Sequence, residues 1–346
     1  MIHAITVDEL LKIRDTHTVI DVRTPAEFQH GHIPGAINLP LFSNEERVKV
    51  GTTYKQEGRE PAILLGFELT GNKWAGFIRQ ALEFAPARKL IVHCWRGGMR
   101  SGAMAWALDM FGFEVHVIQG GYKNYRKWIL RQFERDYHLL IIGGMTGCGK
   151  TRMLHQLRTL EQQVIDLEDL AQHQGSTYGT LNRMIQPTQE QFENNLGEQL
   201  KLLHADKTLW VEDESISIGR LFVPKPFWNQ MQQSLLFDLQ VKPEQRIQYL
   251  LSEYGCLDKD FLVESTERIR KRLGPEQTKN AIAAIRENRM DEFIRLLLVY
   301  YDKTYGNWLA KRTAGLIHRV TAVSKDDREN AQQLLQIAQS LPAKGA

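Results

Sequence analysis

Cysteine is scarce in this chain of 346 residues: Cys94, Cys148 and Cys256 lie far apart and are odd in number. That excludes a disulfide framework, and no Cys-x-x-Cys pair stands ready for zinc. The histidines are scattered without ligand spacing, so no metal cluster is expected from them. No apolar run approaches the ~20 residues of a membrane span. The opening Met1-Ile2-His3-Ala4 lacks the basic and apolar blocks of a secretory signal. An excess of one charge is also missing. Lys and Arg number 44 against 41 Asp and Glu, a formal net charge of +3, too little to announce nucleic acid or membrane by itself. Internal repeats and low-complexity tracts are absent. These absences suit a reducing cytoplasm and exclude a membrane partner.

What is present is ordinary in bulk, with 42% hydrophobic and 25% charged residues. The length exceeds what one core usually serves, so two domains are expected, 1–135 and 136–346. Chemistry begins at His93-Cys94-Trp95-Arg96-Gly97-Gly98-Met99-Arg100-Ser101. The apolar run Leu90-Ile91-Val92 leads in, and a helical pattern from Ser101 to Phe111 leads out. Gly97 and Gly98 let such a loop curl so that backbone N–H groups point inward. Arg96, Arg100 and the positive end of the following helix would draw Cys94 toward thiolate, its reactive form.

Upstream, Thr6 to Arg14 reads as a helix boxed by Thr6 and Glu9, and Thr18 to Val22 as a buried strand. Asp21-Val22-Arg23 then runs to Glu27-Phe28, and Gly31-His32-Ile33-Pro34-Gly35-Ala36 runs to Asn38 and Pro40. In this order before a cysteine loop, these segments resemble a rhodanese domain, which implies a small α/β fold on a parallel sheet. Asp21 and Arg23 are read as an ion pair bracing the turn. The insert from Asn44 to Arg88, with Gly51, Tyr54 and Lys55, reads as a loop that either holds an anion or is a solvated flap. From Cys94 to Arg100 the spacing is C-x5-R, shared with cysteine phosphatases, including those of rhodanese fold. A phosphate, a selenophosphate or a persulfide all suit such a cradle. Lys123 to Arg135 reads as a helix in which Lys123, Arg126, Lys127, Arg131 and Arg135 alternate with Tyr122, Tyr125 and Trp128. That mixture suits RNA phosphates and bases, or equally a solvated interdomain helix.

In the second half, the strand Leu139 to Ile142 runs into Gly143-Gly144-Met145-Thr146-Gly147-Cys148-Gly149-Lys150-Thr151, with a helical run from Arg152 to Leu160 behind it. This is G-x-x-x-x-G-K-T. Backbone N–H groups around Gly144, Gly147 and Gly149 and a helix N-terminus would bind phosphate oxygens, and Lys150 adds a cation. Thr151 would reach a magnesium ion if one is used. Cys148 reads as a filler. Val164 to Leu167 is a second strand, followed by Glu168, Asp169, His173 and a turn from Gly175 to Gly179. Thr208 to Val211 is a third, ending in Glu212-Asp213-Glu214-Ser215, where a carboxylate can orient metal or water. Glu212 or Asp213 is favoured, with Asp213 beside Thr151 for magnesium. Leu235 to Val241 and Ile317 to Val320 read as further strands. Helices are expected at 245–254, 258–273, 275–288, 290–305 and 326–341. Arg268, Arg270, Lys271 and Arg272 form a basic cluster, either a lid over phosphates or tRNA, or a plain charged face.

The fold class is therefore α/β: a rhodanese-like domain followed by a P-loop NTPase-like domain with a helical extension. That order, with the text at Gly51–Gly58, Cys94–Ser101, Gly120–Lys123, Gly143–Thr151, Asp166–Glu168, His173–Ser176 and Glu212–Ser215, resembles the tRNA 2-selenouridine synthase family. The resemblance implies a transferase acting on tRNA with 2-thiouridine at the wobble position. Geranyl diphosphate would first alkylate the sulfur, and selenophosphate would then supply selenium as the geranyl thiol departs. The residues can be fitted to these steps with Cys94, Arg96 and Arg100 on the selenium side and the P-loop on the diphosphate, a division between the domains that is an expectation of its own, and no tightly bound cofactor is expected. Three other classes remain open: an ATP-dependent tRNA sulfurtransferase, a rhodanese-fold cysteine phosphatase fused to a kinase-like domain, and an RNA-binding protein using its P-loop as a switch. The motifs carry no signal for monomer against homo-oligomer.

Overall fold

The computed structural model describes residues 2–173, 178, 185–204, 206–254, 257–321 and 326–340. Most of the Gly175–Gly179 turn, and Cys256, lie outside the described residues. The chain forms two compact units, Met1–Gln132 with Glu193–Glu198, and Phe133–Phe192 with Gln199–Ala346. The second part of unit one is the middle of a helix, Gln189–Leu202, that lies far along the chain. No helix among the described residues is long and apolar enough to cross a membrane.

Unit one is built on strands β1 (Ile2–Ile5), β2 (Thr18–Asp21), β3 (Ile37–Asn38), β4 (Lys89–His93) and β5 (Glu114–Ile118). They pair in parallel in the order β1-β5-β4-β2-β3. The runs Val19-Ile20 and Leu90-Ile91-Val92 are almost wholly buried, as central strands covered on both faces require. The helix Val7–Ile13 starts with the expected box, Glu9 N–H donating to Thr6 Oγ1 and Thr6 N–H to the Glu9 carboxylate.

Asp21 and Arg23 are paired at 2.5 Å with 0% and 1% of their side chains exposed. Arg23 also donates to the Gly31 carbonyl at 2.7 Å and lies 3.8 Å over the Tyr122 ring. The pair closes the turn after β2. Arg23→Ala would strand a carboxylate in the core, and unfolding in urea should show a loss of about 3–5 kcal/mol.

The insert after Asn44 is not a loop. It forms three helices, Asn44–Gln56, Arg59–Thr70 and Trp74–Phe84. Ser43 and Glu46 box the first, a signal hidden behind the weak helix formers Gly51, Thr52 and Thr53. The helix Gly121–Gln132 also departs from the base-stacking expectation. Tyr122 and Tyr125 are fully buried, and the Tyr125 hydroxyl donates to Glu198 at 2.7 Å. Arg126 binds Asn194 at 2.6 Å and pairs with Glu193. The aromatic side of this helix is core, while Lys123, Lys127 and Arg131 stay exposed.

Unit two carries β6 (Leu139–Gly144), β7 (Gln163–Ile165), β8 (Leu209–Glu212), β9 (Ser217–Ile218), β10 (Leu221–Phe222), β11 (Leu235–Gln240) and β12 (Ile317–Thr321). Five of these form a parallel sheet ordered β12-β11-β6-β8-β7, and β9 and β10 pair as an antiparallel hairpin. The helices Lys150–Thr159 and Asp327–Ser340 cover one face. The helices Pro243–Tyr254, Lys259–Arg268, Pro275–Arg286 and Met290–Leu309 share a separate apolar cluster. The single helix expected over 258–273 breaks at Ile269, whose buried side chain belongs to that cluster. The Thr266 hydroxyl bonds back to the Leu262 carbonyl there, at 2.7 Å. Arg268 pairs with Glu264 at 2.7 Å and Arg270 with Glu267 at 3.8 Å, the pattern of a charged helix face.

Candidate functional site

Two sites form, each at the C-terminal ends of a parallel sheet, where loops and helix starts converge. In unit one, β4 ends at His93 and the helix Met99–Met110 begins after Gly98. The residues between them loop around Cys94. The sulfur is 3.2 Å from Ser101 Oγ and receives the Gly98 N–H at 3.4 Å. Burial alone would push the thiol up, but the Ser101 hydrogen bonds and the Arg100 charge outweigh it and hold it below the ordinary thiol range. Gly97 and Gly121 have φ of 64° and 59°. A Cβ on Gly121 would come within 2.4 Å of the Gly97 nitrogen. The loop therefore closes only because both positions are glycine.

Arg96 is exposed. Arg100 is committed to Glu27, at 2.7 and 3.3 Å, so its guanidinium already has an anion. Glu27 is held below its usual range: burial pushes it up, and Arg100 more than offsets that. Sequence reading placed Glu27 only in the rhodanese-like turn and missed this link. The loop borders a cavity of about 1070 Å³.

Hydrogen bonding to the sulfur gives a test. Cys94 reacts as thiolate, so alkylation by iodoacetamide should rise with pH through a depressed midpoint. Ser101→Ala should move that midpoint upward and slow alkylation at pH 7 by about three- to tenfold.

In unit two, β6 runs into the glycine loop, and Lys150 opens the following helix. Gly144 ends the strand with φ of 142°, and a Cβ there would meet Cys148 Sγ at 2.5 Å. Gly147 and Gly149 take φ of 81° and 84°. Cys148 is packed in the core, where burial pushes its thiol up, as a filler should be. Arg246, which carries no sequence signal, braces the loop. It donates to the Thr146 carbonyl at 2.8 Å and pairs with Asp302 at 2.5 Å.

β8 lies beside β6, which brings the acidic strand end to the P-loop. Donor oxygens of Glu168, Glu212 and Glu214 lie within 4.8 Å of one another. The Thr151 hydroxyl is 3.3 Å from Glu168, whose backbone N–H donates to Glu212 at 3.0 Å. Burial raises all three acids, and neighbouring carboxylates add to it, Asp166 at Glu168 and Glu168 at both Glu212 and Glu214, the last reaching about 8. Burial alone would lower the Lys150 amine, but nearby Cys148 and these acids hold it above its ordinary range.

Asp213 is not part of this group. Its carboxylate binds Arg312 at 3.1 Å, and burial raises it to about 7 against that partner. Asp213, expected beside Thr151, is thus turned to Arg312, and the Thr151 hydroxyl meets Glu168 instead. Alternation explains it: residues two apart share a face of extended chain, and Asp213 faces the other way.

The fold also gathers histidines that sequence spacing left scattered. His17 and His116 each hydrogen-bond Glu114, at 3.2 and 3.3 Å, and hold its carboxyl down at about 2.

A rhodanese-type thiol unit joined to a P-loop unit is thus the class that fold and sites define. Residues 6–127 match the Rhodanese-like domain family, and residues 137–338 match the tRNA 2-selenouridine synthase AAA domain. A tRNA 2-selenouridine synthase of Shewanella denitrificans is 38% identical over 333 residues, covering 85% of this chain and 89% of the relative. Those of Shewanella sediminis and Nitrosomonas europaea are each 36% identical, covering 88% and 78% of this chain and 90% and 71% of their own. The chain belongs to the tRNA 2-selenouridine synthase family, a class of tRNA-modifying enzymes.

Proposed function

We propose that the protein converts 2-thiouridine at the tRNA wobble position to 2-selenouridine through S-geranyl-2-thiouridine, with geranyl diphosphate and selenophosphate as substrates. Family membership supports the overall conversion. The observation that carries the two-step reading is the presence in one chain of two different anion cradles, one with an activated thiol and one with a P-loop lysine.

In the first step the base sulfur bonds to C1 of the geranyl group and the C–O bond to diphosphate breaks. Charge grows on the departing diphosphate. N–H groups around Gly144, Gly147 and Gly149, together with Lys150, meet that charge from fixed positions, which lowers the barrier. The oxygen set of Thr151, Glu168, Glu212 and Glu214 fits magnesium: these are hard ligands, and buried Glu212 Oε2 has no hydrogen-bond partner among the described residues. A bound magnesium ion would supply further positive charge to the diphosphate.

In the second step selenium replaces the geranyl thiolate at C2 of the base. Cys94, its thiol held below the ordinary range, attacks the phosphorus of selenophosphate as thiolate: the S–P bond forms and the P–Se bond breaks. The freed hydrogen selenide adds at C2 as the C2–S bond to the geranyl thiolate breaks, after which water hydrolyses the S-phosphocysteine to phosphate and restores the thiol. The N–H groups of the Gly97-Gly98 turn and the Arg96 guanidinium steady the selenophosphate oxygens, and Arg100 joins them on leaving Glu27.

Mass spectrometry of nucleosides tests this after incubation of 2-thiouridine tRNA with both substrates, omitting each in turn. S-geranyl-2-thiouridine without selenophosphate, and 2-selenouridine with both, are expected. Thiouridine formed from uridine with ATP turnover would mean a sulfurtransferase instead, and phosphate release from small phosphoesters without RNA would mean a phosphatase.

A further inference from the structure

At the end of the unit-one sheet opposite Cys94, three side chains converge that the reaction does not use. His17 immediately precedes β2, while Glu114 and His116 stand on β5, with β4 between those two strands. One oxygen, Glu114 Oε1, meets Nε2 of both histidines, at 3.2 Å from His17 and 3.3 Å from His116. The other oxygen, Oε2, faces the Lys89 amine at 3.6 Å. A ligating atom from each of the three residues lies within 4.8 Å of the other two.

The far side of the His17 ring decides what stands between it and the carboxylate. Its Nδ1 is 3.1 Å from the Ile13 carbonyl, which can only accept, so Nδ1 carries the proton. The Thr16 hydroxyl, 2.9 Å from Nδ1, donates to that same carbonyl and is left to accept from the ring as well. A neutral imidazole has a single N–H. Nε2 therefore turns a lone pair toward a carboxylate oxygen, and a cation has to lie between them, either a second proton or a metal ion. The separations point to the metal. A charge-assisted N–H···O bond closes to about 2.7–2.9 Å. Two ligand atoms each about 2.0–2.1 Å from one tetrahedral zinc ion stand about 3.3–3.4 Å apart. A backbone carbonyl that takes the Nδ1 proton is also the common outer partner of a ligating histidine, because it fixes the tautomer and aims the ring.

We propose that His17, Glu114 and His116 bind one zinc ion as a structural site. Two imidazoles and a carboxylate suit zinc better than magnesium or calcium. The fourth position is open to water or to His3, which pairs with His116 across β1 and β5 and whose ring is 5.6 Å from that of His116. The ion ties the turn before β2 to β5 across the start of β4. It thereby holds the frame from which β4 delivers the thiol loop, without touching the loop itself.

The test is a zinc titration of chelator-stripped, full-length protein against a chromophoric competitor. One ion should bind with a Kd of about 1 μM or tighter. His17→Gln, Glu114→Gln and His116→Gln should each weaken that binding at least about tenfold. Zinc should raise the melting temperature of the native protein and not that of the variants. Glu114 is 45% exposed, so Glu114→Gln keeps the test open if a histidine variant does not fold. Cobalt(II) in place of zinc should give the visible bands of a tetrahedral ion without a sulfur charge-transfer band, which separates this site from the cysteines. Failure of the native protein to bind zinc, equal affinity in the folded variants, or a cobalt–sulfur band would overturn the proposal.

Discussion

Cys94→Ser protein should incorporate selenium into S-geranyl-2-thiouridine tRNA at least about a thousandfold more slowly than the native protein. The substitution is nearly isosteric. Gly98 N–H and Ser101 still have an oxygen to bond in place of the sulfur, so the loop keeps its shape. What disappears is the ionised nucleophile, because a serine hydroxyl stays protonated where the same surroundings hold a thiol below its ordinary range. Formation of S-geranyl-2-thiouridine from geranyl diphosphate should continue at the native rate. Nucleoside mass spectrometry reads both products in one sample. Retained selenium incorporation would remove Cys94 from the chemistry, and loss of geranylation as well would refute the assignment of the steps to different sites.

Lys150→Ala should give the complementary pattern, with S-geranyl-2-thiouridine formation reduced by about 10²–10³-fold and selenium insertion into pre-geranylated tRNA unchanged. The amine is the cation facing Glu168, Glu212 and Glu214. Removing it deletes a fixed charge that the diphosphate would otherwise meet, and leaves three acids that must hold on to protons instead. Lys150→Arg is not a gentle version, since a planar guanidinium cannot take the place of a compact ammonium in a loop closed by Gly147 and Gly149. Equal loss of both products would point to a structural failure of the P-loop unit.

Both loops were legible because their residues are contiguous. A strand, a glycine turn and a helix start can be read in sequence order, and the Asp21–Arg23 brace lies within three residues. What escaped depends on long range or on direction. Arg100 finds Glu27, Arg246 finds Thr146 and Arg312 finds Asp213 across 73, 100 and 99 positions of chain, with no spacing to announce them. The choice among Glu212, Asp213 and Glu214 turned on which side of the backbone each carboxylate faces. In the insert, glycine and two threonines masked a helix that is held by its cap and its neighbours. The basic helix misled in the opposite way: Tyr122 and Tyr125 repeat at a spacing that serves a core as readily as a base stack.

The six residues Glu193–Glu198 bear on whether the halves of this gene can be inherited separately. A product ending at Gln132 would lack the carboxylate that Tyr125 and Arg14 share, and the amide that bonds Tyr122 and the His32 carbonyl. A product beginning at Phe133 would present those same groups with nothing to bind. Splitting the open reading frame at its apparent seam should therefore cost both pieces these buried bonds.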